Sequence, residues 1–473
     1  MILEVFIILT IVAFSLFLAG IVILLILDNR VPSKTVAWLL SFIVLPVLGP
    51  ILYLFIGRNW RRLRKKETEV TSISDIKKLK PINFKKLKVS PRDQEIMELA
   101  YKNSYTLPKL HNRIKVYING EKKFKDLLKD IKSAKNFINM EYFIWKKDPT
   151  TDKIKAALIE RAKKGVKIRI LVDRIGGNEL PWNYFKDFKK AGIDFHWFFD
   201  FSLKSILRIN YRDHRKIVNI DGRIGYVGGA NIAQEYADGG KRFGYWRDTH
   251  LRIEGEIVDT IQDFFALNWF NTTKELVNQK KYYFKDHSVR EVHPMQLVGS
   301  GPDSKWGSIH QVYFALLGMA QKSIYIQSPY FIPSPSIQTA LVTAAMRGVD
   351  VRIIVTGKVD KLLPYWAAFT YFEPLLEAGV KICHYQKGFM HAKAVMIDSE
   401  IASIGTANMD VRSFNLNFEI NTIIYGNGAV KKMEKLFFQD MEECTGFTIE
   451  DYNALSPLVK FRNSIARIFA PLM

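Results

Sequence analysis

Two stretches near the N-terminus carry no charged residue at all: Val5 to Leu27 and Thr35 to Gly57, 23 positions each. At about 1.5 Å of rise per residue each reaches roughly 34 Å as a helix, enough to cross a hydrocarbon layer of about 30 Å. They predict a transmembrane helical hairpin over residues 1–57. No basic segment precedes the first stretch, and it is too long for a cleaved leader. The second stretch holds Pro46, Gly49 and Pro50, so a kinked or re-entrant course competes with a straight span.

Beyond residue 109 the pattern changes to short β-branched runs, helical stretches and glycines, and it occurs twice. F-I-N-M-E-Y-F-I-W, ending at Trp145, is answered by I-Y-I-Q-S-P-Y-F-I-P, ending at Pro333. Ala162 to Val172 (A-K-K-G-V-K-I-R-I-L-V) matches Ala345 to Val355 (A-M-R-G-V-D-V-R-I-I-V), and Ala191 to Phe198 matches Ala378 to Tyr385. Such alternation predicts β-α-β units on a largely parallel sheet, hence an α/β protein with two repeated domains. The expected division is a hairpin over 1–57, a basic juxtamembrane linker over 58–109, domains over 110–285 and 286–448, and an amphipathic tail over 449–473. The polar stretch Asn278 to Glu291 is the expected joint.

Within the repeats one string recurs. H-R-K-I-V-N-I-D holds His214, Lys216 and Asp221 and runs on to G-G-A-N at Asn231. H-A-K-A-V-M-I-D holds His391, Lys393 and Asp398 and runs on to G-T-A-N at Asn408. In both copies the Asn falls seventeen residues after the His, and with only 9 histidines in 473 residues this is not coincidence. His and Lys stand two apart on a predicted strand, so each pair shares one face. Asp221 and Asp398 have the opposite parity and lie where the strand ends, which makes them anchors within the motif more than reacting groups. A further acid emerges from aligning the repeats: Asp248 and Glu419 each stand seven residues before a glycine, Gly255 and Gly426. His111, His196 and His310 lack any such setting.

Two His, two Lys, two Asn and an acid for each His suit attack at phosphorus. One imidazole can act as nucleophile and the other as general acid and base. The carboxylates would accept from the far ring nitrogens and fix the tautomer. The lysines and asparagines would hold phosphate oxygens. No carboxylate cluster suggests a metal, and the chemistry needs no cofactor. From the residues alone, either histidine can attack first.

Charge narrows the partner. The formal net charge is +22, which points to a polyanion. The apolar N-terminus favours anionic membrane lipid over nucleic acid. Arg58, Arg61, Arg62, Arg64, Lys65 and Lys66 follow the second stretch, against Arg30 and Lys34 in the connecting loop. The positive-inside bias therefore places everything after residue 57 on the cytoplasmic side of a cell membrane, with the cluster against anionic headgroups and Lys77, Lys78, Lys80, Lys85, Lys86 and Lys88 extending it. Two cysteines, Cys383 and Cys444, make no disulfide framework. Near the C-terminus, Leu, Phe and Ile alternate with Lys460, Arg462 and Arg467; an interfacial helix and a helix packed on the domain are equal readings.

The paired H-x-K-x-x-x-x-D motifs resemble the phospholipase D superfamily over residues 110–448. With the N-terminal stretches and the strings G-G-A-N-I-A-Q-E-Y and G-T-A-N-M-D-V-R-S-F, the chain resembles the bacterial cardiolipin synthase family within it. The resemblance implies two phospholipase D-like domains related by a pseudo-two-fold axis, with one active site at their interface. It implies transfer of a phosphatidyl group from one phosphatidylglycerol to a second, releasing glycerol. His214 would be the nucleophile and His391 the general acid/base, with Lys216, Lys393, Asn231 and Asn408 on the phosphate. Gly229 and Thr406 stand where many superfamily members have Ser, a departure worth at most one hydroxyl contact per half. A lipid hydrolase or another phosphatidyltransferase would use the same residues; a nuclease fits the charge but not the anchor. A scaffold without activity has no use for a duplicated site. Self-association through the membrane segments stays open.

Overall fold

The structure, a computed structural model, describes residues 2–28, 32–57, 82–87, 89–181, 183–199, 210–283 and 289–473. Described residues within 1–67 and 199–211 form one compact unit, and those within 68–198 and 212–473 a second, larger one. The expected basic cluster from Arg58 to Lys66, with Arg30, Lys77, Lys78, Lys80 and Lys88, lies outside the described residues, as does part of the expected joint, 284–288.

In the smaller unit, α1 (Ile2–Leu27) is one uninterrupted helix with a mean hydropathy of 3.0, long and apolar enough to cross a membrane. The second apolar stretch is not a single spanning helix. It begins as α2 (Pro32–Val44), breaks at residues 45–47, and resumes as the short α3 (Leu48–Leu52). Pro46 explains the break: it has no N–H to continue the helical ladder, and its ring disfavours helical backbone at Leu45. A Cβ on Gly49 would lie 2.6 Å from the Ser41 carbonyl oxygen, and one on Gly57 2.8 Å from the Trp38 ring. The part after the break therefore packs back on α2. Ile21, Leu25, Phe42 and Tyr53 form the buried core of this unit.

The larger unit is built on one sheet of 16 described strands, fifteen along its main path and the two-residue strand Arg212–Asp213 off it. The first repeat contributes β1 (Lys109–Tyr117), β2 (Phe137–Tyr142), β3 (Lys167–Asp173), β4 (Asp194–Phe198), β5 (Lys216–Ile220), β6 (Ile224–Gly228) and β7 (His250–Gly255). The second contributes β8 (Val292–Ser300), β9 (Ser323–Gln327), β10 (Asp350–Thr356), β11 (Lys381–Tyr385), β12 (Ala394–Ile397), β13 (Ile401–Gly405), β14 (Asn417–Tyr425) and β15 (Cys444–Phe447). Their spatial order is β15-β11-β10-β9-β12-β13-β14-β8-β1-β7-β6-β5-β2-β3-β4. Read outward from the antiparallel β1–β8 pair, the two sides have the same order, β15 aside. That is the pseudo-two-fold relation the resemblance implied.

The expectation of a largely parallel sheet is corrected. Along the main path of the sheet the parallel ladders are β2–β3–β4 and β9–β10–β11, while the motif strands β5 and β12 pair antiparallel with both neighbours. The cause is local. Asp221 and Gly222 have φ of 55° and 66°, and Asp398 and Ser399 have φ of 54° and 59°. Two successive positive φ values make the tight hairpin turn whose twist matches antiparallel strands. The β-α-β arrangement survives where helices intervene. Among the helices, α4 (Gly120–Ser133) precedes β2, and α5 (Pro149–Lys163) crosses from β2 to β3; α6 (Pro335–Met346) crosses from β9 to β10. Both crossover helices start with a side-chain cap, Asp148 or Ser334, followed by proline at the first position. Farther on, α7 (Leu362–Phe369) packs against α8 (Pro457–Ile468) near the C-terminus.

Candidate active site

The two H-x-K segments enter the sheet beside each other's repeat. Arg212–Asp213, just before His214, pairs parallel with Asn417–Phe418, just before Glu419. Phe389–Met390, just before His391, pairs parallel with Trp246–Arg247, just before Asp248. The His214 N–H donates to the Phe418 carbonyl at 2.9 Å and the His391 N–H to the Arg247 carbonyl at 2.7 Å. These matched ladders bring the two motifs together across the repeat boundary.

Each imidazole consequently meets the acid of the other repeat. His214 Nδ1 lies 2.9 and 3.0 Å from the Glu419 carboxylate oxygens. His391 Nδ1 lies 2.7 Å from Asp248 Oδ2. Both carboxylates are buried, whereas both imidazoles keep 12% of the side chain exposed. A carboxylate at Nδ1 calls for N–H there, which leaves the Nε2 lone pair free for chemistry. Neither repeat holds a complete His–acid pair by itself.

Electrostatics support that protonation state. Burial lowers His214 to about 4 and His391 to about 3, outweighing the pull of Glu419 and Asp248 toward the charged form. Burial alone would raise Glu419 and Asp248, but the imidazoles and nearby lysines hold both below the usual carboxylate range. Lys216 and Lys393 are fully buried, and each Nζ donates to its own histidine's carbonyl at 2.5 Å. Burial brings Lys216 down to about 7, with Lys393 pushing the same way, and Lys393 down to about 8 against the pull of Asp248 and Glu419. Two neutral imidazoles thus stand beside two buried lysines whose charge burial weakens.

The asparagines sit deeper. Asn231 Oδ1 accepts from the Ile144 N–H at 3.0 Å, and its amide donates to the Tyr236 hydroxyl at 2.8 Å. Asn408 takes the matching place after β13 and is also buried. Asp221 and Asp398 turn away to backbone. Asp221 accepts from the N–H groups of Lys135, Asn136 and Phe137 at 2.7, 2.7 and 2.8 Å. Asp398 accepts from Gln321, Lys322 and Ser323 N–H at 2.9, 2.7 and 2.8 Å, and from Arg92 at 2.6 Å. Each ties a hairpin turn to the start of its repeat's first parallel strand, β2 or β9.

The Gly229 and Thr406 departure matters more than a lost hydroxyl. A Cβ on Gly229 would lie 2.0 Å from Asp248 Oδ1, so no side chain fits there with Asp248 in place. The Thr406 hydroxyl accepts from the Ile420 N–H at 2.9 Å and donates to the Ile420 carbonyl at 3.2 Å. Two neighbours of the site carried no sequence signal. Lys123, inside α4, is wholly buried and lowered to about 7 by burial, with Asp248 opposing. Its run G-E-K-K-F-K reads as a solvated face. Tyr236 packs its ring 5.8 Å from the His391 ring. No group of His, Cys, Asp and Glu suited to a metal occurs among the described residues.

A single sheet of two like halves, with the two His-Lys motifs brought together across the repeat boundary, defines the phospholipase D-like class. The family described as "Cardiolipin synthase, PLD-like domain" matches residues 127–241 and 313–441, and "Phospholipase_D-nuclease N-terminal" matches 13–58. The chain is 38% identical to the cardiolipin synthase of Geobacillus kaustophilus, over 94% of this chain and 90% of that one. It is 38% identical to the major cardiolipin synthase of Bacillus subtilis, over 94% and 95%. With the cardiolipin synthase of Clostridium perfringens it shares 39% identity over 94% and 96%. The phosphatidylserine synthase of Haemophilus influenzae has the same fold, with a TM-score of 0.62 at 16% identity, over 81% of this chain and all of that one. This chain belongs to the cardiolipin synthase family.

Proposed function

We propose that the chain is a membrane-associated phosphatidyltransferase, which moves the phosphatidyl group of one phosphatidylglycerol onto a second to give cardiolipin and glycerol. The crossed His–carboxylate pairs carry this reading: two neutral imidazoles, each oriented by a buried acid, face a site floored by two buried lysines. His214 Nε2 attacks phosphorus as the bond to the glycerol oxygen breaks, and His391 supplies the proton that oxygen takes. His391 then removes the hydroxyl proton of the incoming lipid, whose oxygen displaces His214 from phosphorus. A phosphodiester anion in the site favours the imidazolium at His391, offsetting the burial that keeps it neutral when free. Lys216, Lys393, Asn231 and Asn408 bind the phosphate oxygens. Glu419 and Asp248 orient the two rings. Asp221 and Asp398 act through position, holding the hairpins that carry the motifs.

The larger unit faces the cytoplasm in this reading, supported by the basic excess after residue 57. Cysteines placed at Lys34 and Asn59, labelled from either side of sealed vesicles, separate a multi-pass course from a re-entrant one. Opposite sides mean two crossings; the same side means that α1 alone crosses. The activity test is the full chain in liposomes with labelled phosphatidylglycerol, beside His214→Ala. Cardiolipin with equimolar glycerol, lost in the variant, is the expected result. Phosphatidic acid as the sole product would make the chain a hydrolase and sink the transferase reading.

A further inference from the structure

The C-terminal helix is turned inside out relative to an ordinary surface helix. On α8 the buried positions are Asn463 and Ala466, and Ala466 joins Ile332, Ala367, Tyr371 and Ala470 in a small core. Its large apolar side chains point the other way. Leu458, Phe461, Ile465 and Ile468 lie along one stripe at helical spacing and are 81, 66, 43 and 72% exposed. Phe469 continues the stripe, and Leu362 and Leu363 of the neighbouring α7 widen it. Among the described residues of the larger unit, twelve large hydrophobic side chains are exposed, and these seven sit together. A contiguous apolar surface of that kind marks a contact that the isolated unit lacks.

Charge identifies what covers it. No acid occurs from Tyr452 to the C-terminus, nor from Lys361 to Phe372, while Lys361, Lys460, Arg462 and Arg467 fall within those segments. Asp360, next to α7, accepts from the Tyr330 hydroxyl at 2.5 Å. The Arg462 guanidinium lies 4.5 Å over the Trp366 ring, Arg467 4.6 Å over Tyr371, and Lys460 4.9 Å from Tyr452. Aromatic rings and flanking cations around an outward apolar stripe are what an interfacial helix presents to anionic headgroups. The patch also adjoins the site. Ile332, in its floor, belongs to the two-residue strand Phe331–Ile332, which pairs with Met409–Asp410 directly after Asn408. The Met473 carbonyl accepts from the Arg412 N–H at 2.9 Å, tying the chain end to the helix that follows.

We propose that the α7–α8 face is a membrane-docking surface that seats on an anionic bilayer beside the strand leading from Asn408. The inference concerns the surface and holds whichever acceptor the site uses. It is tested with the full chain in phosphatidylcholine vesicles containing phosphatidylglycerol, carrying an environment-sensitive fluorophore at Phe461→Cys or Ile468→Cys. Glu160→Cys, on an exposed ion pair of α5, is the control. Acyl-chain quenchers are expected to quench the probes at 461 and 468 well above the one at 160. Quenching no greater than at 160 would overturn the proposal, and concentration-dependent probe–probe contact in place of quenching would show a second copy there instead. As a second readout, Leu458→Ser/Phe461→Ser/Ile468→Ser should lower turnover of bilayer phosphatidylglycerol about tenfold while sparing dispersed short-chain substrate. Unchanged bilayer turnover would count against docking.

Discussion

The crossing of the orienting acids has a consequence that a single substitution exposes. Glu419→Gln keeps the shape of a buried side chain whose oxygens lie 2.9 and 3.0 Å from His214 Nδ1. The amide carries no charge; with its carbonyl oxygen held by the Asn417 amide donor, its N–H faces Nδ1, where it can meet only a lone pair, which moves the ring proton to Nε2, the atom that must attack. Loss of the right tautomer at a His–acid pair costs about 10²–10⁴ in rate, roughly 3–5 kcal/mol of barrier. Asp248→Asn should cost a similar factor with phosphatidylglycerol, but through His391. A phosphatidyl ester of p-nitrophenol separates the two, because its leaving group departs without a proton. With that substrate, Asp248→Asn and His391→Ala should recover most of the rate of the first step, while Glu419→Gln and His214→Ala should not. The assay is the burst of nitrophenolate in a single turnover. If the variants sort by repeat instead, Asp248 behaving like His214 and Glu419 like His391, the crossed arrangement and the roles built on it are refuted.

Gly229→Ser should abolish most turnover without unfolding the chain, since the new Cβ displaces Asp248 from His391; a variant with near-normal kcat would contradict the 2.0 Å approach. Asp221→Ala removes the acceptor of three backbone N–H groups and should lower stability by about 2–4 kcal/mol with little change in kcat of the folded protein, read from thermal unfolding beside activity. The pH profile follows from His214 at about 4 and Lys216 and Lys393 at about 7 and 8. With the p-nitrophenyl ester, whose leaving group takes no proton from His391, the free enzyme's kcat/KM should fall in acid near pH 4 rather than near 6.5, and fall in alkali as the lysines lose charge above about 7–8. For stability the sign is set by proton counts: between the folded and unfolded histidine values the unfolded chain binds more protons, so stability drops as pH falls from about 6.5 toward 4. A melting temperature flat across that window would show the imidazoles are not held neutral.

The chain alone determined what short-range pattern can determine. Two uncharged runs marked the apolar N-terminal helices, the first long enough to cross a membrane, and Pro46 marked the break within the second. The doubled H-x-K string placed His214 beside Lys216 and His391 beside Lys393 on one strand face, because strand geometry has a period of two. The repeats also picked out Asp248 and Glu419 as equivalent. They could not say which acid serves which histidine, since the partners are 143 and 205 residues apart and repeat symmetry permits either assignment. Pairing of Arg212–Asp213 with Asn417–Phe418, and of Phe389–Met390 with Trp246–Arg247, decided it. The antiparallel centre of the sheet was likewise missed, although the Asp221–Gly222 turn that dictates it was in view. Lys123 and the bar against a side chain at Gly229 belong entirely to tertiary structure, as does the outward turn of the α8 stripe, whose amphipathic pattern the sequence already carried. Periodicity fixes which side chains share a face, while the neighbour that face meets depends on how distant strands come into register.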